Sequence, residues 1–217
     1  MHKLQQHILS QLIRHNDQRY ADIKPTDVEG NLFMYHLRSV MKAGWVAKRP
    51  DGRYELTPDG LRYADTLSLK TFTPRAQHRL VTLLVAQNAG GEYLFLRRKR
   101  QPLLGMAGFP YGKIHLDETI QQAAHRELKE KSGLSAELTH RGDGYVTIYQ
   151  HDEAVSQIFF HLFVASKISG RLIKTSPAGD VFWGTPHYDD PMLMPSVLDL
   201  IERLESPERF FVELTYR

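Results

Sequence analysis

The chain contains no cysteine. Disulfide staples, thiol nucleophiles and cysteine-ligated zinc ribbons are excluded together, and the composition suits a reducing compartment. No apolar run approaches the roughly 20 residues of a membrane-spanning helix. The first stretch, MHKLQQHILSQLIRHNDQ, is broken by polar residues at short intervals and lacks the apolar core of a signal peptide. A cytoplasmic protein with no membrane association is expected. Neither sign of charge dominates: 28 Lys and Arg face 25 Asp and Glu, for a net charge of +3. With 41% hydrophobic residues over 217 positions, the chain can build a packed core and is long enough for one large or two modest domains.

The small positive excess has a definite place. Positions 38–53 carry Arg38, Lys42, Lys48, Arg49 and Arg53 against Asp51, a local patch rather than a generally basic protein. Upstream, Leu4, Ile8, Leu9, Leu12 and Ile13 form an apolar stripe at helical spacing over residues 3–15. A short helix near Arg19–Ile23 follows, closed by Pro25. Asn31 is placed to cap a third helix running to Ala43, with Gly44 as its stop. On that helix Phe33, Leu37, Val40 and Met41 share one face, while Asn31, Tyr35, Arg38, Ser39 and Lys42 share the other. Trp45–Lys48 and Arg53–Leu56 read as strands around the turn Pro50-Asp51-Gly52, and Thr57 before Pro58 starts a further helix.

Three helices, a hairpin and a helix are the order of a winged helix-turn-helix. The string YHLRSVMKAGWVAKRPDGRYELTPDG resembles that family along its length, over about residues 3–68. The resemblance implies that helix 31–43 enters the major groove of double-stranded DNA, with Asn31, Tyr35, Arg38, Ser39 and Lys42 on the reading face. Arg49 and Arg53 on the wing would meet the backbone. Modules of this kind also serve in dimerisation or protein docking.

Ser68-Leu-Lys-Thr-Phe-Thr-Pro74-Arg is a short polar connection containing a proline. The expected organisation is a first domain over 1–70, a linker over 71–76 and a second domain over 77–217. In the second, Leu80–Ala86 and Tyr93–Arg98 read as strands around Asn88–Gly91, and residues 118–132 as a helix with Ile120, Ala124 and Leu128 four apart and Gly133 as its stop. Tyr145–Gln150, Val155–Lys167 and Arg209–Thr215 read as strands, and Pro195–Glu205 as a helix. The fold class is α+β, with a mixed sheet carrying helices on its faces.

Glu127 and Glu130 sit three apart on helix 118–132, so their carboxylates are neighbours on one face. Such a pair, helped by a backbone carbonyl at Gly112, has the hard oxygen donors that Mg²⁺ or Mn²⁺ takes. The segment Gly112–Leu134, GKIHLDETIQQAAHRELKEKSGL, resembles the Nudix box of pyrophosphate-cleaving proteins. Gly112, Glu118, Arg126, Glu127, Leu128, Glu130, Gly133 and Leu134 match it at fixed spacing, and the approach GFPYGK is similar to the family's. The resemblance implies a Nudix-type α/β/α sandwich following the winged helix. It makes Glu127 the general base or a metal ligand and Glu130 a metal ligand. Glu118 and Arg126 would brace the loop against the helix, and Arg97, Arg98 and Lys99, leaving the second strand, would meet substrate phosphates. Lys131, outside the family's pattern, can itself neutralise a phosphate oxygen as a point charge.

Three departures bear on activity. Lys131 stands where the box carries a metal-binding carboxylate, one turn from Glu127, so its ammonium opposes a divalent ion. Tyr111 replaces the first of two glycines, a restriction if that position needs positive φ. The later region Thr175–Gly179 supplies no acid before Asp180, and Glu137, Asp143, Asp152 and Glu153 stand at no matching position. The expected function is binding of a nucleoside-diphosphate-linked small molecule by a DNA-binding regulator, acting as a homodimer, with pyrophosphohydrolase activity weak or lost. The alternatives are an active magnesium-dependent pyrophosphohydrolase whose winged helix dimerises or shapes substrate access, and a protein-binding scaffold with no ligand.

Overall fold

The apolar stripe at the N-terminus winds into α1 (Lys3–Arg14), which buries Ile8, Leu9 and Leu12. The computed structural model describes residues 1–15, 17–68, 70–75 and 77–217; Leu69 and Ala76, in or beside the expected linker, lie outside the described residues. After α1 come α2 (Tyr20–Ile23) and α3 (Gly30–Lys42). Ile23, Phe33, Leu37 and Val40 join the α1 residues in one core. Asn31 is not the cap of α3. Glu29, with extended backbone, holds that position, the helix begins at Gly30, and the Asn31 amide donates back to Glu29 Oε1 at 3.3 Å.

Strands β1 (Val46–Lys48) and β2 (Tyr54–Leu56) pair antiparallel, Val46 opposite Leu56. The following α4 (Pro58–Thr66) is capped by Thr57, whose hydroxyl accepts from the Gly60 N–H at 3.0 Å. Gly60 is there for contact: a Cβ would lie 1.9 Å from the Trp45 carbonyl oxygen. That close approach lets Trp45 stack on Tyr63 with ring centroids 4.1 Å apart.

The second compact unit, His78–Arg217, has its own core. Its first elements are β3 (Arg79–Ala86), β4 (Tyr93–Arg98), β5 (Ala107–Gly108), β6 (Tyr111–Lys113) and α5 (Ile120–Ser132). They are followed by β7 (Leu134–Gln150), β8 (Glu153–Gly170), β9 (Thr175–Ser176), β10 (Gly179–Gly184), α6 (Ser196–Glu205) and β11 (Phe210–Tyr216). One sheet has the order β11-β7-β8-β3-β6, a second the order β5-β4-β10-β9. The first is mixed: β3 runs parallel to β8 and β11 parallel to β7, while β7–β8 and β3–β6 are antiparallel. Ala124 and Leu128 of α5 belong to one apolar cluster with Leu84 and Phe163, whereas Val197 and Leu200 of α6 belong to another with Val81 and Phe160. Alternate residues of β3 and β8 thus serve two cores, one per face.

Strands β7, β9 and β10 exceed the sequence reading. β7 begins at Leu134, eleven residues before the expected Tyr145, and runs through Gly142 and Gly144, although glycine weakens a strand interior. Both glycines admit β11: a Cβ at Gly144 would lie 2.2 Å from the Val212 carbonyl oxygen and one at Gly142 2.6 Å from the Phe210 ring. Similarly, the region Thr175–Gly179, to which no strand was assigned, turns from β9 into β10, with Gly179 opposite Ser176.

Candidate functional site

The site forms where β6 runs past the middle of α5. Thr119 caps α5 and its box partner Gln122 returns the bond, with the Thr119 N–H donating to Gln122 Oε1 at 2.8 Å. Glu118, just before the helix, accepts a bidentate pair from Arg126, at 2.9 Å from Nε and 2.6 Å from Nη2. The same guanidinium donates to the Lys113 carbonyl at 2.9 Å, and Glu118 also accepts from the His115 N–H. The loop 113–118 is therefore tied to α5 through one arginine. The bonded Arg126 guanidinium holds the Glu118 carboxyl down at about 2, while the bond to Glu118 raises the pKa of Arg126.

Arg126 also reaches the other two box carboxylates. Its Nη1 donates to Glu127 Oε1 at 2.7 Å and lies 3.3 Å from Glu130 Oε2. Glu127 is 4% exposed, and its second oxygen, Oε2, makes no hydrogen bond but lies 3.3 Å from the Lys131 ammonium. The reason for Gly112 is now evident. The Glu127 carboxyl rests on its Cα, so a Cβ there would fall 1.6 Å from the carboxyl carbon. Neither Tyr111 nor Gly112 has positive φ, so tyrosine is accommodated in β6 without backbone strain.

A cleft of about 290 Å³ opens above these residues. Arg79, Arg98, Arg100, Lys113 and Lys131 line it together with His115, and Glu127 is the one carboxylate among the described lining residues. Arg98 is 5% exposed. Its Nε donates to the Pro102 carbonyl at 2.9 Å, Nη1 donates to the Tyr111 hydroxyl, and the guanidinium lies over the Tyr111 ring. Among the described residues no carboxylate is within ion-pair distance of it. A buried cation without an anion carries a desolvation cost of several kcal/mol, which a bound anion offsets.

The expected phosphate-binding residues separate. Strand alternation sends Arg97 outward, over the Phe182 ring at 5.3 Å, and Arg98 inward. Lys131 faces the cleft. Arg79, Arg100, Lys113 and His115 were missed in sequence; only their basic character, with Arg100 and Lys113 beside the strand and box motifs, hinted at them. Of the carboxylates weighed as later metal ligands, Asp180 pairs with Lys99 at 2.5 Å and is held below the ordinary carboxylate range, chiefly by that bond. Glu137 pairs with Lys167, and Asp152 with Arg217. Asp143 sits between two histidines.

On α3, Tyr35 is 69% exposed, and Asn31, Arg38 and Lys42 are exposed with it. Ser39 is engaged instead, accepting from the Gln5 amide at 2.9 Å. The wing arginines are also engaged. Arg49 Nη1 donates to Asp17 Oδ1 at 2.7 Å, which raises the Arg49 pKa, and Arg53 Nη1 donates to the Asp17 carbonyl at 2.8 Å. These three side-chain bonds join non-adjacent elements, which no local pattern encodes, and they leave the Arg49 and Arg53 side chains 39% and 40% exposed.

A family model described as the NUDIX domain matches residues 77–187. Among solved structures, a MutT mutator protein from Bacillus halodurans is 23% identical at a TM-score of 0.52, over 64% of this chain and 90% of that one. The NUDIX domain of NrtR from Shewanella oneidensis, solved in complex with ADP ribose, is 22% identical at a TM-score of 0.50, over 69% of this chain and 97% of that one. These likenesses concern the fold. No curated protein matches the chain.

Proposed function

Because the chain belongs to the NUDIX domain family, with the matched region lying in its C-terminal unit, we propose that this unit binds a nucleoside-diphosphate-linked ligand and hydrolyses it poorly or not at all. The observation that carries the reading is the charge balance of the cleft. A buried arginine without an anion faces it, further cations line it, and its one described carboxylate is already held by Arg126 and Lys131. A diphosphate supplies the missing negative charge, with Arg98 offering a planar guanidinium and Lys131 a point charge.

Members of this family generally use divalent metal, and the box residues here fit such an ion poorly. Glu127 Oε2 is buried and free of hydrogen bonds, as a ligand atom would be, but the Lys131 ammonium lies 3.3 Å from it. Glu130 is exposed and leans on Arg126. A cation entering here would meet an ammonium and would have to draw Glu130 from its arginine.

We further propose that the N-terminal unit is a winged helix-turn-helix that binds double-stranded DNA as a homodimer, through Asn31, Tyr35, Arg38 and Lys42 on α3, and that the nucleotide alters its DNA affinity. The ADP ribose named for the Shewanella domain makes that compound the first probe. Calorimetry with ADP ribose is expected to give binding that does not require Mg²⁺, and assays of AMP release from it a turnover well below about 1 per second. Turnover at or above that rate would sink the regulator reading, and absence of binding across a nucleotide panel would sink the ligand class. Lys131→Glu, which restores the family's carboxylate, is expected to raise Mg²⁺-dependent turnover at least about tenfold. On DNA, loss of the gel shift in Arg38→Ala/Lys42→Ala supports the α3 assignment, and unaltered binding removes it.

A further inference from the structure

Away from the cleft, His140, Asp143 and His161 meet on β7 and β8. His140 Nε2 lies 2.8 Å from Asp143 Oδ1 and His161 Nδ1 lies 2.6 Å from the same oxygen. The one ligand atom each residue offers lies within 4.8 Å of the other two. None of these residues lines the cleft. His161 is the register partner of Asp143, so those two share a sheet face by ordinary pairing.

His140 has no such entitlement. Residues three apart on a regular strand point to opposite faces. The β7–β8 register slips between His140, opposite Phe163, and Gly142, opposite Leu162, so one extra residue, Arg141, is inserted on β7. That bulge turns His140 onto the face of Asp143. The bulge is itself held from the far edge, because the Phe210 ring of β11 occupies the space a side chain at Gly142 would fill. Phe163 lies 5.3 Å from the His140 ring and Phe159 5.2 Å from the His161 ring, so both imidazoles are flanked by aromatic carbon.

We propose that His140, Asp143 and His161 form a binding site for a divalent transition-metal ion of the zinc class, separate from the phosphate cleft. Two imidazoles and one carboxylate suit Zn²⁺, Co²⁺ or Ni²⁺, whereas Mg²⁺ prefers an all-oxygen set. Zinc ligand bonds are about 2.0–2.2 Å long, so tetrahedral donors stand about 3.4 Å apart. The two histidine–aspartate separations would open by less than about 1 Å, and the two imidazole nitrogens, within 4.8 Å of each other, would settle toward the same spacing by rotamer adjustment. Each imidazole would present its Asp-facing nitrogen as a lone pair and carry its proton on the other nitrogen. The ion would link β7 to β8 at the bulge.

The test uses the untagged full-length chain in millimolar Mg²⁺, with Co²⁺ as a spectroscopic probe and Zn²⁺ as its competitor. One equivalent of Co²⁺ is expected to bind with a visible absorption band, and Zn²⁺ to abolish that band. Asp143→Asn, which preserves shape, and His161→Gln are each expected to weaken binding about tenfold or more and remove the band. Glu127→Gln is expected to retain it. Circular dichroism checks folding, and the isosteric Asp143→Asn keeps the test valid if His161→Gln fails to fold. Lack of stoichiometric Co²⁺ in the wild type, or equal binding in Asp143→Asn, would overturn the site and leave a hydrogen-bonded triad alone.

Discussion

The two walls of the cleft solve opposite electrostatic problems. On the α5 wall, the carboxylates of Glu118, Glu127 and Glu130 are gathered around Arg126, and Glu127 has Lys131 beside it as well. On the β4 wall, Arg98 is buried with a carbonyl and a phenol as partners. The first wall is already neutralised from within; the second holds a buried cation with no carboxylate partner among the described residues. A hydrolase of this family needs the reverse on the first wall, carboxylates left open to a divalent ion. On the proposed function, one substitution, lysine for a carboxylate at 131, would move the site from metal toward phosphate without changing the helix that carries it.

The largest expected effect breaks the β4 wall. Arg98→Met removes the unpaired cation while keeping most of the side-chain volume. Nucleotide affinity is expected to fall about 100-fold, as when one partner of a buried charge pair is truncated. Folding stability should change by less than about 1 kcal/mol, since an apolar group replaces a charge that was costly to bury. Calorimetry and urea unfolding on the same variant separate the two. Unchanged affinity would mean that the anion sits elsewhere; a loss of several kcal/mol in stability would mean that Arg98 serves packing.

An intermediate effect comes from pressing on the α5 wall. Gly112→Ala places a methyl within the Glu127 carboxyl, and overpacking of this kind costs about 1–3 kcal/mol. Denaturant unfolding should show most of that loss relieved in a Glu127→Ala background, because the clash needs both side chains. An additive double mutant would show that Gly112 matters for some reason other than the carboxylate resting on it.

These contrasts were unequally legible in sequence. Glu118, Arg126, Glu127, Glu130 and Lys131 lie within one loop and helix, where spacing alone determines which side chains meet. The helices and hairpin of the N-terminal unit were legible for the same reason, with Thr57 and Gly44 marking their ends. What escaped was every feature set by a partner distant in the chain. Gly142 and Gly144, poor strand residues by local preference, are required by the close approach of β11. Arg49 and Ser39 read as free surface but were bound to Asp17 and Gln5. The isolation of Arg98 could not be seen at all, since a missing counter-ion is a property of everything packed around a residue.

The smallest effect concerns pH and the neutralised wall. Bonding to Arg126 brings Glu118 from its ordinary 4.5 to about 2 in the folded protein. Between those values the unfolded chain binds a proton that the folded one does not, so stability rises with pH there. The Glu118 contribution is thus complete above about pH 4.5 and lost as the pH falls toward about 2. Glu118→Gln should lower stability at neutral pH and flatten this part of the profile, so that the two unfolding curves converge toward acid. The pair is only partly buried, so solvent screening keeps the effect small. Parallel curves across the window would show that Arg126 draws its order from Glu127 and the Lys113 carbonyl instead, and that the α5 wall is neutralised by fewer contacts than its geometry presents.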